Sequence, residues 1–291
     1  MKLTLSPRAL LALCLAAMYV VWGSTYLGIR IGVEGLPPLL LAALRFLAAG
    51  GVMLAFLRWR GVPWPARHEM RNAAVIGTLM LAVGNGAVCV AEKTVPSGLA
   101  ALLVACGPLF AILIAWAWGN RPRAAEWLGI ALGLAGVAVL NLDHRLAASP
   151  LGFALIVLAA ATWAFASVLQ GRIAMPAGPM SATIQMLAGG VVLTIASLLF
   201  GERMPASVPW QSWAALAYLT VFGSIVAYNA YVYVLRHARP ALAMSYAYVN
   251  PAIAVALGAL LGGELITGPI VAGMVVILAG VVLIALGNQR R

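Results

Sequence analysis

The sequence predicts an all-α membrane protein in which ten transmembrane helices form two inverted five-helix repeats, with both termini in the cytoplasm. Three observations lead to this prediction. Of the 291 residues, 64% are hydrophobic and only 9% are charged, with a mean hydropathy of +1.02, which is more apolar surface than a soluble fold of this size uses. Apolar runs of about 20 residues, the length that crosses a bilayer, follow one another from Leu10 to Leu286. The two halves of the chain also resemble each other.

The apolar runs, separated by short polar breaks, define the predicted elements in order. They lie at residues 8–28, 38–57, 71–91, 96–118, 124–142, 150–170, 180–200, 211–235, 240–261 and 266–287. The first run, ALLALCLAAMYVVWG, has the composition of a signal peptide, but it is long, carries WGSTY and lacks a clear small-x-small cleavage site. We therefore expect it to be retained as the first helix.

The distribution of charge predicts the orientation of these spans. Most lysines and arginines fall at helix ends on the side that also holds both termini, whereas most acids, including Glu34, Glu202 and Glu264, fall on the other side. Since basic residues stay on the cytoplasmic side, both termini are predicted there. The net charge of +11 is scattered over the loops, so we expect contact with lipid headgroups and no binding of nucleic acid.

Motifs for enzymatic chemistry are missing from the sequence. It contains no GxxxxGK[ST], HExxH or GxSxG, so neither ATP hydrolysis nor hydrolase chemistry is expected. Cys14, Cys89 and Cys106 lie in predicted spans without a CxxC pattern or a nearby histidine, and we interpret them as buried free thiols. Neither a metal nor a cofactor is expected.

Internal similarity divides the chain at residues 1–146 and 147–291. Writing residues 97–116 over residues 240–259 aligns Pro108 with Pro251, and further alignment places Gly129 on Gly273, Gly136 on Gly280 and Trp22 on Trp163. Each half holds five predicted helices, and because five is odd, the second half must enter the membrane from the opposite side. The two halves are therefore predicted to be inverted repeats about an axis in the membrane plane.

Inverted repeats favour a transporter, because one interface opens to either face when the two halves exchange conformations. A structural or sensory membrane subunit is the alternative that the motifs leave open. That alternative gives no reason for polar and aromatic residues inside the spans of both halves. The sequence leaves the oligomeric state open.

Several segments resemble a known family. WGSTYLGIRIG, PPLLLAALRFLAAG, AVGNG, VPSGLAALLVACGPL and SYAYVNP resemble the EamA-type carriers of the drug/metabolite transporter superfamily, most closely their YedA-like bacterial inner-membrane branch, and the resemblance covers nearly the whole chain. It implies ten helices, a central cavity between the halves, and export of metabolites or drugs. The first half has GNR where the family usually carries a glutamate, which the second half keeps as Glu264, so we assign Arg121 no site role.

The stretch SYAYVNPAIAV, residues 245–255, puts polar groups and a helix breaker at mid-membrane depth. Tyr246 and Asn250 are four residues apart and share a helix face, which predicts that both bind substrate in a cavity. The alternative is that Asn250 bonds to the backbone of a neighbouring helix. Pro251 removes a backbone donor from the helix interior, and we interpret it and Pro108 as hinges.

Further substrate-binding candidates lie in other spans. Trp22 and Trp163 occupy equivalent positions in the repeats and could form an aromatic wall on each side of a cavity, although a membrane tryptophan is often an interface anchor. Asn85 lies between two glycines that allow close approach of a helix or a ligand. Ser24 and Tyr228 add polar surface in helices 1 and 8.

Arg45 is the charged residue that falls well inside a predicted span. An arginine there needs a partner, snorkels outward or binds an anionic part of the substrate, and Glu92 and Glu34 are the candidate partners. Because the acids and histidines lie at or beyond helix ends, no buried proton site is evident and facilitated diffusion is favoured over proton antiport. The candidate site suits neutral, zwitterionic or partly aromatic solutes, such as amino acids and drugs, better than polyanions.

Overall fold

The computed structural model describes residues 6–119, 121–141, 149–238 and 245–288, and the regular structure in these residues is entirely helical. We number the helical stretches α1 to α10 in chain order. They are Pro7–Gly35, Pro38–Trp59, Arg67–Ala91, Ser97–Ala117, Ala124–Asn141, Pro150–Gln170, Met180–Leu199, Trp210–His237, Tyr246–Leu261 and Gly268–Asn288. The predicted all-α fold class is confirmed.

Length and composition distinguish two groups among these helices. Within the described residues, α1 to α4 and α6 to α8 are long and apolar enough to cross a bilayer, whereas the apolar segments of α5, α9 and α10 are shorter. Each predicted span coincides with one helix. The largest difference is in α1, which continues beyond the predicted residue 28 to Gly35. The predicted start of the ninth span, at residue 240, lies outside the described residues.

The helices pair in a pattern that is unchanged when the two halves are exchanged. The main contacts join α2 to α7, α4 to α9 and α5 to α10, while α1 packs on α8 in the same way that α6 packs on α3. Glycines set the distance between α5 and α10. A Cβ added to Gly136 would lie 3.1 Å from the Gly273 carbonyl oxygen, and one added to Gly280 would lie 2.7 Å from that of Gly129. These two contacts show that α5 and α10 run antiparallel.

Two carboxylates of the second half cap helices of the first half. Glu202 accepts hydrogen bonds from the backbone N–H groups of Leu39 and Leu40 at the start of α2, at 3.2 and 2.8 Å. Glu264 accepts from the backbone N–H groups of Ser97 and Gly98 at the start of α4, at 2.7 and 3.0 Å. A negative charge at a helix N-terminus is stabilising, so these contacts fix α2 and α4 against the other half.

Irregular backbone interrupts the helices near the centre of the bundle. π-helical turns occur at Met18–Trp22 in α1, Thr78–Asn85 in α3 and Leu219–Val226 in α8. The helix α4 breaks at residues 105–106, just before Pro108, and α9 contains Pro251. In a membrane, such backbone is tolerated where protein covers it or where it lines a cavity, and π-helical turns frequently mark functional sites.

Candidate functional site

The irregular segments meet around a central cavity with a volume of about 80 Å³. At about 10–15 Å³ per water, this cavity has room for about five to eight water molecules. Residues from both halves line it, and six of them belong to the sequence-predicted substrate-binding set: Trp22, Asn85, Trp163, Tyr228, Tyr246 and Asn250. Arg45 and Thr25 line the same cavity.

The aromatic residues form one continuous cluster. The ring centroids of Trp22 and Trp163 are 5.7 Å apart with an interplanar angle of 85°, which is an edge-to-face contact. Tyr246 lies 5.2 Å from Trp22 on the cavity side, and Tyr231 packs behind it at 5.0 Å. The expected aromatic wall on each side of the cavity is therefore replaced by a single surface. Trp22 is buried and donates to the Gly223 carbonyl oxygen at 3.2 Å, so it is not an interface anchor.

Asn250 combines the two roles between which the sequence left a choice. It lines the cavity and is buried. With its amide oriented to donate, its Nδ2 also reaches the backbone carbonyl oxygens of Tyr19 at 3.1 Å and Tyr246 at 3.2 Å. Tyr19 belongs to the π-helical turn of α1, so Asn250 joins α9 to α1 at the cavity wall.

Asn85 ends the π-helical turn of α3 and lines the cavity. Its Oδ1 accepts a weak hydrogen bond from the Cys89 thiol at 3.6 Å. The neighbouring Gly84 faces α6, where an added Cβ would lie 3.5 Å from the Trp163 ring and 3.7 Å from the Ala159 carbonyl oxygen. The space beside Asn85 is therefore used in two ways: α6 packs against Gly84, and the cavity lies against Asn85.

A buried hydrogen-bond network adjoins the cavity at Tyr228. The Tyr228 hydroxyl donates to Oε1 of Gln185, and Nε2 of Gln185 donates to Gln170 Oε1 at 3.2 Å and to Ser181 Oγ at 3.0 Å. We call these four residues the Gln185 network. Gln185 was not predicted from the sequence, although the polar run SATIQ inside α7 is a signal for it.

Arg45 is buried and is held in place at the cavity. Its Nε donates to Ser224 Oγ at 2.7 Å, and its guanidinium lies 4.9 Å from the centre of the Phe46 ring. Its Nη1 has no hydrogen-bond partner among the described residues. The structure does not bring Arg45 into an ion pair with Glu92 or Glu34, the partners proposed from the sequence. Glu34 lies in a separate pocket, described below.

Glu92 follows directly after α3 and does not line the cavity, but it is fully buried, which corrects the expectation that no acid is buried. Arg30 donates to its backbone carbonyl oxygen at 2.6 Å, while neither carboxylate oxygen has a hydrogen-bond partner among the described residues. Burial raises the pKa of the Glu92 carboxyl well above its ordinary value. The charge of Glu264 raises this pKa further, and Arg30 and Arg45 lower it.

Ser24 lies outside the central cavity, contrary to its predicted place in the site. It lines a second, more open pocket of about 1090 Å³ between α1, α8 and the end of α9. Its hydroxyl donates to the Val21 carbonyl oxygen at 2.7 Å and bonds to the Tyr218 hydroxyl at 2.5 Å. The neighbouring Thr25 takes the place on the cavity wall.

The proposed hinges lie at helix irregularities, one in each half of the chain. Pro108 is buried at the start of the second segment of α4, after the break at residues 105–106. Pro251 is buried inside α9, directly after the cavity residue Asn250. Movement at these positions stays a prediction.

A helical membrane bundle whose elements are interrupted around a central polar and aromatic cavity has the architecture of a solute carrier. The sequence profile of the EamA-like transporter family matches residues 8–142 and again residues 150–286, and the chain belongs to this family.

Known relatives agree with this assignment. The chain is 50% identical over 275 residues to the uncharacterized inner membrane transporter YedA of Escherichia coli (strain K12), covering 94% of this chain and 90% of that protein. It is 27% identical over 289 residues to a probable amino-acid metabolite efflux pump of Salmonella typhimurium, covering 94% and 93%. A known crystal structure of a protein that is 24% identical matches with a TM-score of 0.70 over 96% of this chain and 98% of that one, which supports the fold. The protein is a multi-pass transporter of the inner membrane.

Proposed function

We propose that this protein exports small organic metabolites, such as amino acids or drugs, by alternating access through the central cavity. The cavity carries this proposal, because residues of both halves line it where α1, α3, α8 and α9 are irregular. At about 80 Å³ it is smaller than a typical ligand pocket of about 300–1,000 Å³. A metabolite therefore requires the surrounding helices to move apart.

Ten transmembrane helices in two inverted repeats, 1–146 and 147–291, with both termini in the cytoplasm, complete the proposal. Two features support it: the helix pairing is unchanged when the two halves are exchanged, and α5 and α10 run antiparallel. In such an arrangement each half can take the conformation of the other, which moves the opening from one face to the other. Pro108 and Pro251 are the proposed hinges of this movement.

The cavity lining indicates binding of a solute without a chemical reaction. Hydrogen-bonding and aromatic groups line the cavity, which suits binding of a solute rather than its conversion, so we propose no enzymatic activity and no cofactor. The partners are the solute and the surrounding lipids, and nucleic acid is not among them. A structural or sensory subunit is the competing class, and it predicts no solute flux.

Uptake into proteoliposomes tests the proposal. Purified protein is reconstituted, and uptake of radiolabelled amino acids is measured with and without a proton gradient. Asn250→Ala is compared with Asn229→Ala, a matched control because Asn229 also lies inside a helix, donates to the Ile225 carbonyl oxygen at 2.8 Å and does not line the cavity.

We expect saturable uptake that equilibrates without a gradient, is lost in Asn250→Ala and persists in Asn229→Ala. Accumulation against a concentration gradient when a proton gradient is imposed would refute facilitated diffusion and point to Glu92. Equal uptake by both variants would show that Asn250 of α9 does not bind the solute. Absence of flux for every labelled amino acid would contradict the amino-acid part of the proposal, and absence for labelled drugs as well would favour the structural or sensory class.

A further inference from the structure

A positive charge lies at the central cavity without a matching negative charge. An arginine carries five N–H donors, and at Arg45 the Nε donor is used by Ser224 while Nη1 has no partner among the described residues. Only 4% of the Arg45 surface is exposed. An unpaired charge that is buried in a membrane protein is costly and marks a functional site.

The nearby carboxylates are engaged elsewhere or lie out of bonding distance. Glu202 caps α2 and Glu264 caps α4. Glu92 forms no hydrogen bond with Arg45 and does not line the cavity. Among the described residues, therefore, no carboxylate forms a hydrogen bond or an ion pair with the Arg45 guanidinium, and Glu92 acts on it only across a longer distance.

The surroundings of Arg45 keep its guanidinium at the cavity. Ser224 fixes Nε, and the Phe46 ring packs at 4.9 Å. Gly223 provides the space, since a Cβ at this position would lie 2.7 Å from Nη2 of Arg45 and 3.0 Å from the Thr25 side chain. An arginine that snorkels to the membrane surface would not need such a fitted position, so Arg45 is held at the cavity and does not reach toward the surface.

We infer that the transported solute carries one carboxylate, which binds the Arg45 guanidinium while its apolar or aromatic part packs against Trp22 and Tyr246. The inference rests on the proposed carrier function and names the substrate class of the same cavity. Arginine and carboxylate form two parallel, charge-assisted hydrogen bonds, and with Nε bonded to Ser224 these would come from the two Nη groups of Arg45. The class comprises monocarboxylates with an apolar or aromatic group, including amino acids. It excludes amines and amides that lack a carboxylate.

Binding by the full-length protein in detergent tests this inference through intrinsic tryptophan fluorescence, because Trp22 and Trp163 line the cavity. The probes are 3-phenylpropionate and L-phenylalanine, each compared with its primary amide, which differs only in the carboxylate. The proteins are the wild type, Arg45→Met, Arg45→Lys and the control Arg58→Met, which removes an exposed charge at the end of α2.

We expect the wild type and Arg58→Met to bind each acid about tenfold to a hundredfold more tightly than its amide, as expected for hydrogen bonds to charged groups. In Arg45→Met this ratio should fall to about one. Arg45→Lys should keep a reduced preference, because lysine has the charge without the bidentate geometry, and it carries the test if Arg45→Met fails to fold.

An unchanged acid-to-amide ratio in Arg45→Met or Arg45→Lys would overturn the inference. Saturable flux of phenethylamine that is lost in Asn250→Ala would overturn it as well, while the carrier function would stand. Absence of binding by all four probes would overturn the carboxylate assignment, and uptake of other solutes would then decide the carrier function separately.

Discussion

Two buried polar clusters adjoin the central cavity, and they differ in whether their hydrogen bonds are complete. In the Gln185 network, both N–H donors and the acceptor of the Gln185 amide have partners. At Arg45, Nε is bonded and Nη1 is not. Arg45 and Gln185 each lie within the first eight residues of α2 and α7.

The orientation of α2 and α7 sets these clusters apart. Gly50 faces Leu187 and Gly190 faces Leu47, so the two helices run antiparallel, and Arg45 and Gln185 lie toward opposite ends of the pair. A complete network stabilises the fold, whereas an incomplete one lowers stability and is kept where a ligand completes it. The comparison therefore distinguishes a network whose hydrogen bonds are complete without a ligand from an arginine for which we infer a ligand.

The largest effect should come from disturbing the backbone beneath the complete cluster. At Gly77 in α3, an added Cβ would overlap the Gln185 carbonyl oxygen and lie 2.7 Å from its carbonyl carbon. Because backbone cannot swing away as a side chain can, Gly77→Ala should destabilise the protein by about 3 kcal/mol. Thermal unfolding in detergent, followed by size-exclusion chromatography, measures the loss.

Gly51→Ala is the matched control, since Gly51 lies in the neighbouring α2 and an added Cβ meets nothing within 4 Å. Equal melting temperatures for the two variants would show that α3 and α7 are less closely packed than the structure has them.

The next largest effect comes from comparing one substitution in each cluster. Gln185→Leu removes the bonds that Tyr228, Gln170 and Ser181 form with Gln185 and should destabilise the protein by about 1–3 kcal/mol. Arg45→Met removes a charge whose bonding is incomplete and replaces it with an apolar chain of similar length, so stability should stay unchanged or rise. The same thermal assay compares them, and a larger loss in Arg45→Met than in Gln185→Leu would mean that Arg45 is a structural residue.

The helical fold could be predicted from the sequence because the length and composition of each apolar run are local properties. Pro108, Pro251 and the paired glycines of α5 and α10 were also found, since their positions repeat in the two halves. The π-helical turns were not predicted, because an i to i+5 bond replaces an i to i+4 bond through packing and leaves no residue signature.

The same physics explains which site residues were predicted. Trp22, Trp163 and Asn250 stand out as polar or aromatic groups inside apolar runs. Ser24 was predicted at the cavity, whereas the central cavity is lined by Thr25, its neighbour about 100° further around the helix. The π-helical turn at Met18–Trp22 changes the phase of the helix just before this point, so spacing alone could not decide between the two. Whether Arg45 has a partner depends on tertiary contacts, which no local pattern contains.

A smaller effect is expected at the second incompletely bonded charge, Glu92. Because burial raises the pKa of its carboxyl above the ordinary value, ionisation disfavours the folded state. The contribution of the neutral Glu92 carboxyl to the free energy of unfolding is fully present below the ordinary carboxyl pKa. It is lost as the pH rises through the higher pKa of the folded state. Glu92→Gln, which resembles the neutral acid, should flatten this dependence and exceed the wild type by about 1 kcal/mol once Glu92 is ionised.

Melting temperatures from pH 4 to about pH 9 measure this dependence, with Glu264, Arg30 and Arg45 as the charged groups that act on Glu92. Parallel curves for the wild type and Glu92→Gln would show that Glu92 finds a partner in solution.

The smallest effect is expected at Ser24. This substitution tests whether the central cavity is separate from the pocket that Ser24 lines. Ser24→Ala removes the hydroxyl bond to Tyr218 in the separate pocket. Such a bond within a membrane protein contributes about 0.6 kcal/mol, so stability should fall only slightly, and the binding of 3-phenylpropionate should not change. Fluorescence titration measures the binding. If Ser24→Ala weakened binding as much as Asn250→Ala, the two pockets would form one solute path, and the site would extend across α1 from Thr25 to Ser24.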